Sequence, residues 1–327
     1  MTISVVLCTY NRCQALAKAL ESVAASHLPA SVDWEVLVVD NNSNDRTRDV
    51  VEGFAARYPR RFRYLFESKP GKSHALNTGV TAAQGEILAF MDDDVSVDPA
   101  WLEALTAPLC GPSEWSGAGG PVILDWSGPP PSWFDMKRTQ YMGPLAGFNL
   151  GDEAFAMHEP PFGTNMAFRK TMFTKYGLFR TDLGPSPRSD VPRPNEDTEF
   201  GRRLLAGGER LRYMPAAIVH HPVPQERLSK EYFLQWWYDK ERADVREQGN
   251  SPGALAIRGV PLYLFRRLAV WTLRWMVSPL PSARFDCKLK VWGKRGAIAE
   301  SRHQFARSRN AQTEKPEDEK PQCVTVI

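Results

Sequence analysis

Apolar residues follow two rhythms along the first hundred residues, and the rhythms alternate. The unbroken runs ISVVLC (3–8), WEVLVVD (34–40), FRYLFE (62–67) and EILAFM (86–91) are short and rich in β-branched and aromatic side chains. Runs without polar alternation predict strands covered on both faces, as in a parallel sheet flanked by helices. Between them, CQALAKALESVAAS (13–26), TRDVVEGFAARY (47–58) and SHALNTGVTAA (73–83) space apolar positions three and four apart, the mark of one helix face. The alternation predicts a doubly wound, mostly parallel α/β sheet at the start of the chain.

From Cys110 to Pro161 the regularity fails. SGPPPSWFD (127–135) and scattered Gly and Pro predict a loop-rich insert that offers an acceptor surface. Pattern resumes in FGTNMAFR (162–169), NEDTEFGRRLLAGG (195–208) and LRYMPAAIVHHP (211–222). After Gln225 the composition turns aromatic and basic, predicting a helical appendage over 225–309. The Glu-, Lys- and Pro-rich tail of 310–327 reads as disordered. The expected organisation is a 1–224 α/β domain, with a first part to about 110 and a second over 111–224, followed by the appendage.

At 327 residues and 43% hydrophobic content the chain can bury a full core. Its net charge of +3 hides an asymmetry: residues 258–309 hold twelve Lys and Arg against Asp286 and Glu300, so the remainder is net acidic. That surplus points the C-terminal region toward an anionic surface. Five scattered cysteines fit neither a zinc site nor a disulfide scaffold, and a reduced, cytoplasmic setting is expected. Met1 runs directly into ISVVLC with no basic stretch before it, so no secretory signal is expected. No uncharged stretch has the length of a membrane span. VPLYLFRRLAVWTLRWMVSPL (260–280) is apolar and aromatic but interrupted by Arg266, Arg267 and Arg274. Two readings stay open: an interfacial helix on anionic lipid, or an amphipathic helix docked on the catalytic domain with its arginines toward water.

In doubly wound sheets ligands gather at the carboxyl ends of the strands. That is where this chain puts its polar residues: TYNR after the first strand, DNNSNDRT after the second, and Asp92, Asp93 and Asp94 after the fourth. Three adjacent carboxylates repel one another, so they call for a cation. Lys72 in KPGKSHALN sits where a helix N-terminus and a positive charge would both face an anion, with His74 and Asn77 on the same stretch. Glu196 and Asp197 open a helix behind Asn195, a suitable N-cap, and acids favour that position for dipole reasons alone. In VHHP, alternation turns only one of His220 and His221 inward.

Taken together, VVLCTYNR, VLVVDNNSNDRT, GKSHALNTGVTAAQGEILAFMDDDV and NEDTEFGRRL, in that order between about Ile3 and His221, resemble the family 2 glycosyltransferases of GT-A fold. The resemblance implies transfer of a sugar from a UDP-, GDP- or dTDP-sugar to a hydroxyl, with inversion at the anomeric carbon. It implies Mg²⁺ or Mn²⁺ on an Asp-X-Asp element of Asp92 and Asp94, with Asp94 the direct ligand and Asp92 or Asp93 nearer the ribose. Asp40 is implied as the contact to the base, with Thr9 and Asn11 nearby, and Lys72 as a diphosphate contact. Asp197 is the implied general base, with Glu196 beside it, and Gly163, Thr164 and Asn165 form the acceptor segment. His221 completes the metal shell in this reading; a packed or capping histidine is the other.

The expected enzyme moves one sugar onto a lipid-linked or saccharide acceptor in cell-surface polysaccharide or glycolipid synthesis, at the inner face of the membrane. A processive synthase is the nearest rival, but it would need several spans and a Gln-X-X-Arg-Trp element, and QWWYDK (235–240) lacks that spacing. A nucleotidyltransferase would share the nucleotide site but release diphosphate. A non-catalytic binding module would use the basic, Trp-rich C-terminus; nucleic acid is not the expected partner.

Overall fold

The computed structural model describes residues 1–186, 194–251 and 253–313. The four predicted strands form one parallel array: β1 (Thr2–Thr9) lies between β2 (Asp33–Asp40) and β4 (Ile87–Asp92), with β3 (Phe62–Phe66) outside β2. Both faces are covered. On one face Val5, Leu7, Val36 and Val38 meet Leu16, Leu20 and Val23 of α1 (Cys13–Ala24) and Val51 of α2 (Thr47–Arg57). On the other, Val6, Leu37, Leu88 and Phe90 meet Leu76 and Val80 of α3 (Lys72–Ala82). Neighbouring residues in each strand thus serve opposite cores, which is why the strands read as unbroken apolar runs. Each such Leu or Val contributes about 1.5–3 kcal/mol of burial.

The chain then adds β5 (Ser96–Val97), α4 (Trp101–Thr106), β6 (Trp115–Gly119), β7 (Val122–Trp126), α5 (Thr139–Met142) and β8 (Phe155–Met157). These precede β9 (Met166–Arg169), α6 (Lys170–Tyr176), α7 (Glu196–Ala206), β10 (Arg210–Tyr213) and β11 (Val219–Val223). The large sheet runs β3-β2-β1-β4-β9-β6-β10-β8, with β9 antiparallel to both β4 and β6 and β8 antiparallel to β10. A small sheet, β5-β11-β7, carries the VHHP segment beside the end of β4.

The insert expected over 110–161 is therefore not all loop: β6 is an interior strand of the main sheet. Its sequence, WSGAG, hides the strand because its small residues leave room for large neighbours. A Cβ at Gly117 would overlap the Phe168 ring and Leu211. Asn165, expected to meet the acceptor, is fully buried and braces this region instead. It accepts from Trp101 Nε1 at 2.9 Å and donates to the carbonyls of Pro121 and Ala217 at 2.9 and 2.7 Å.

Three long helices close the chain: α8 (Lys230–Gln248), α9 (Leu262–Val277) and α10 (Pro281–Thr313). Residues 310–313, expected at the start of the tail, continue α10, and 314–327 lie outside the described residues. Gly296 lets α10 approach the Tyr238 backbone of α8, where a Cβ would collide. The two helices are locked by Glu300, fully buried, which accepts from Arg246 at 2.7 Å, and by Lys294 on Glu241 at 2.7 Å.

Replacing Asn165 by Leu strands the Trp101 N–H and two carbonyls in a dry interior. Chemical denaturation of that variant is expected to show a loss of about 3 kcal/mol or more. Unchanged stability with a selective loss of acceptor binding would return Asn165 to the acceptor site.

Candidate active site

At the carboxyl ends of β1 and β4 the structure opens a cleft of about 830 Å³. The strand register sets its floor, because Cys8 lies opposite Asp92 and Thr9 opposite Asp40. Of the residues singled out in the sequence, Thr9, Lys72, Asp92, Asp93, Asp94, Thr164, Glu196, Asp197 and His221 line it together.

The cation demanded by the acidic triplet is supplied by side chains from three separate elements. Arg12, just past β1, donates Nη1 to Asp93 Oδ1 and Asp94 Oδ2, each at 2.9 Å. Lys72 at the start of α3 donates to Asp92 Oδ1 at 2.6 Å and lies 3.3 Å from Glu196 Oε1. Arg227, beyond β11, donates to Asp94 Oδ2 at 3.3 Å. Burial resists ionisation of Asp92, but Lys72 and the Thr164 hydroxyl, 2.7 Å away, outweigh it and hold that carboxyl at about 2. For Asp93 burial wins over Arg12, with Asp94 adding to the rise, and the group moves up to about 6. Burial opposes a charged Lys72 as well, yet Asp92, Glu196 and Asp197 keep its pKa well above the ordinary value. Glu196 is pushed up to about 7 by burial, which Lys72 opposes and Asp197 reinforces.

Asp197 is fixed at the mouth of α7. Its Oδ2 accepts from the Gly163 N–H, and its Oδ1 accepts from the Thr198 N–H at 2.7 Å. Gly163 thus does not line the cleft but positions Asp197; a Cβ there would press on the carboxylate. The α7 N-terminus shows a second departure. Asn195 occupies the cap position in a left-handed conformation without capping by its side chain, which donates to Asp244 and Glu247 of α8, each at 2.8 Å.

Two nucleotide-site expectations fall outside the cleft lining. Asp40 is buried at the end of β2, where Tyr64 Oη and the Ser43 N–H occupy its oxygens at 2.8 and 2.9 Å. Asn11 joins the first two loops, donating its N–H to Ser43 Oγ at 2.9 Å and accepting from the Asn44 N–H at 2.8 Å. Both shape the loop that carries Asn41 and Asn42, and these do line the cleft. Asn41 in turn accepts from the Gly71 N–H at 2.7 Å, which fixes the turn ahead of Lys72. Asp45 accepts from the Thr47 N–H at 2.9 Å and so ties this loop to the start of α2.

Of the two histidines, alternation along β11 turns His221 inward and His220 out, toward Asp98 and Asp125. Burial lowers the pKa of His221 against the pull of Asp94. Arg227 Nη1 lies 3.2 Å from His221 Nε2, and since arginine can only donate, that nitrogen is an acceptor. Asp94 Oδ1 stands 3.8 Å from the same Nε2, so a carboxylate oxygen and an imidazole nitrogen can reach one small divalent ion once Arg227 gives up its bond to that nitrogen. They are a partial set, because among the described residues no three His, Cys, Asp or Glu side chains cluster to hold a metal. Such a pair fits Mg²⁺ or Mn²⁺ completed by phosphate oxygens. Asp92, expected to share the metal, accepts from Lys72 on one oxygen and from the Thr164 hydroxyl on the other.

The sequence reading passed over Arg12, Arg227 and one wall of the cleft, formed by Tyr232, Gln235, Trp236, Asp239 and Lys240 of α8. Arg12 was within reach of sequence reasoning, as the cation at a strand end facing DDD. Arg227 and the α8 wall arrive by tertiary packing and leave no local signal.

The two raised carboxyls tie stability to pH. The unfolded chain releases the Glu196 proton near 4.5, whereas the folded protein holds it to about 7. Across that interval the folded state binds more protons and loses stability as pH rises. Asp92 acts oppositely: its contribution is present above 3.8 and lost as pH falls toward 2. Thermal melts of Glu196→Gln should coincide with the parent below about pH 5 and lie higher at pH 8. Parallel curves across the whole range would refute the assignment.

The glycosyl transferase family 2 model matches residues 4–123, which run from within β1 past β6 and include the acidic triplet. The succinoglycan biosynthesis protein ExoM of Rhizobium meliloti is 30% identical over 69% of this chain and 69% of its own. Glycosyltransferase AglE of Haloferax volcanii is 35% identical over 73% of this chain and 75% of its own. In fold, the chain superposes on the mannosyltransferase PcManGT of Pyrobaculum calidifontis, solved with GDP-Man and Mn²⁺. That TM-score is 0.55 at 19% identity, covering 96% of this chain and 88% of the other. The architecture is the GT-A fold expected from the motifs, and the chain belongs to glycosyl transferase family 2.

Proposed function

We propose that the protein is a metal-dependent, inverting glycosyltransferase that moves one sugar from a UDP-, GDP- or dTDP-sugar to a hydroxyl of a lipid-linked or saccharide acceptor. The observation that carries this reading is the meeting, in one cleft, of a cation-braced acidic triplet with a separately anchored carboxylate, Asp197. Resemblance to a succinoglycan biosynthesis protein supports a role in cell-surface polysaccharide or glycolipid synthesis. We place that role at the cytoplasmic face of a membrane on the basic, aromatic character of residues 258–309.

Inversion needs one base, placed to take the acceptor proton as the hydroxyl attacks opposite the leaving group. Asp197 is assigned that role. Backbone N–H groups hold its carboxylate in place while it faces the cleft, and Tyr232, Gln235 and Trp236 offer an aromatic and amide wall against which a sugar can lie. As the acceptor oxygen bonds to the anomeric carbon, its proton passes to Asp197. The bond from that carbon to the diphosphate breaks, and its electron pair leaves with the phosphate oxygen. Arg12, Lys72 and Arg227 are the cations placed to meet that negative charge. An ion held by Asp94 and His221 would supply further neutralisation of the diphosphate; the mannosyltransferase of like fold was solved with GDP-Man and Mn²⁺. Asp92 and Asp93 are assigned to the ribose side, and the loop shaped by Asp40, Thr9 and Asn11 to the base.

Two substitutions divide these roles. Asp94→Ala should abolish the metal-dependent part of donor binding in calorimetry; binding that stays equally metal-dependent in this variant would overturn the ligand assignment. Asp197→Asn keeps the side-chain volume and should leave donor affinity nearly unchanged, while kcat falls on the order of a hundredfold to ten-thousandfold. Transfer at the parental rate would move the base elsewhere, with Glu196 the first alternative, and collapse of donor binding would place Asp197 in the diphosphate site.

A further inference from the structure

The helix α9 turns its apolar surface the wrong way for a helix that exists only to be docked. It packs against α10 along a narrow face: Leu264 is buried with Val260, Ala297 and Ile298, Leu268 lies partly covered, and Trp275 meets Trp292 edge-on at 6.2 Å. The opposite face is open to solvent and is also apolar. Leu262, Phe265, Ala269, Leu273 and Met276 recur at spacings of three and four, so they form one stripe, with Val270 and Val277 beside it and Leu280 just beyond the helix end. Leu273 and Met276 are 58% and 59% exposed, and Val277 reaches 68%. Of the two readings open from the sequence, docking with the arginines toward water accounts for the inner face and the arginines but leaves the outer apolar stripe without a role.

The charges around the stripe identify what covers it. Arg266 lies within the stripe, and Arg267 and Arg274 follow its edge, propped against Tyr263 and Trp271 at 5.2 and 4.9 Å from the ring centres. No Asp or Glu occurs between residues 248 and 285. Among the described residues none of these three arginines has an acidic partner. Lys288 and Arg295 of α10 add positive charge around Trp275 and Trp292. A second copy of the chain laid on this face would bring arginine against arginine with no acid to relieve them, so self-association is opposed. A sheet of anionic headgroups over hydrocarbon answers both features: the leucine and methionine side chains enter the acyl boundary while the arginine stems reach up to phosphate. Among the described residues no helix is long and apolar enough to cross a membrane, so α9 would lie in the plane of one leaflet.

We infer that the outward face of α9, with Leu273, Met276 and Val277 at its centre and Arg266, Arg267 and Arg274 around it, is an anionic-lipid docking surface. This gives a specific surface to the proposed placement at a membrane face, while using none of the residues of the cleft.

The test uses the full chain and vesicle flotation, with phosphatidylcholine alone or mixed with phosphatidylserine. The parent protein should float with the mixed vesicles and bind the neutral ones far more weakly, with added salt weakening the mixed binding only in part, since apolar insertion is not screened. Leu273→Glu/Met276→Glu should remove flotation; both positions are exposed, so melting temperature and nucleotide-sugar binding should stay unchanged. Replacing Arg266, Arg267 and Arg274 together by Gln should weaken binding to mixed vesicles by roughly a hundredfold, at about fivefold per arginine, and erase the preference for anionic lipid. No flotation of the parent chain would overturn the inference, as would equal flotation of the double variant. If light scattering instead shows a dimer that the double variant splits, with vesicles ignored, the face is a contact between copies and the lipid assignment is wrong. Since flotation needs no turnover, failure of this inference and failure of the proposed transfer reaction are read independently.

Discussion

Three carboxylates in succession at the end of a buried strand are the constraint around which the rest of the site is arranged. Their mutual repulsion grows as water is excluded, so the fold must deliver positive charge to one point from parts of the chain far apart in sequence. Arg12 comes from the end of β1, Lys72 from the start of α3 and Arg227 from beyond β11. Each cation therefore pins an element to the end of β4. Compensation is uneven: Asp92 is held ionised, whereas Asp93 and Glu196 carry carboxyl groups raised to about 6 and about 7. In the proposed reaction, that reserve of positive charge is what a sugar diphosphate would meet, and the acids that now share it would exchange partners with the phosphates.

What the sequence revealed follows how local each signal is. The four parallel strands and their helices were legible because strands buried on both faces must be apolar throughout, and β1, β2, β3 and β4 fall where the runs predicted. The acidic triplet and the Glu196–Asp197 pair were legible as motifs, and the structure brings both to one cleft. Strand alternation alone said that one of His220 and His221 turns inward, and the structure shows it to be His221. β6 was missed because the usual strand signal is side-chain bulk, and here the bulk is lent by Phe168 and Leu211 across the sheet. Asn165 and Asn195 show a related limit. The partners of their side chains, the Trp101 indole and two carbonyls in one case and acids of α8 in the other, lie dozens of residues away and leave no local signal.

The C-terminal helices show a different limit. Composition fixed α9 as amphipathic but could not say which of its faces would be covered, because that depends on where α10 lies. α10 is placed by contacts no pattern announces: Gly296 against the backbone of α8, and a buried Glu300 held by Arg246. Since α8 also forms a wall of the cleft, one helix pair supports both the catalytic pocket and the helix that faces outward.

The pairing of β1 with its neighbours bears on how such a chain can evolve. β1 matches β2 without interruption from Thr2 opposite Asp33 to Thr9 opposite Asp40, and matches β4 from Ile3 opposite Ile87 to Cys8 opposite Asp92. Side chains alternate between the two cores at every step, so inserting or deleting one residue inside these strands would exchange the cores, and inside β4 it would carry the acidic triplet to the other side of the sheet. Lineages descending from such an ancestor can lengthen the segments joining the strands, as between Trp126 and Phe155, far more freely than the strands themselves. Diversity in what is recognised would then accumulate in the connections while the chemistry stays in step with the sheet.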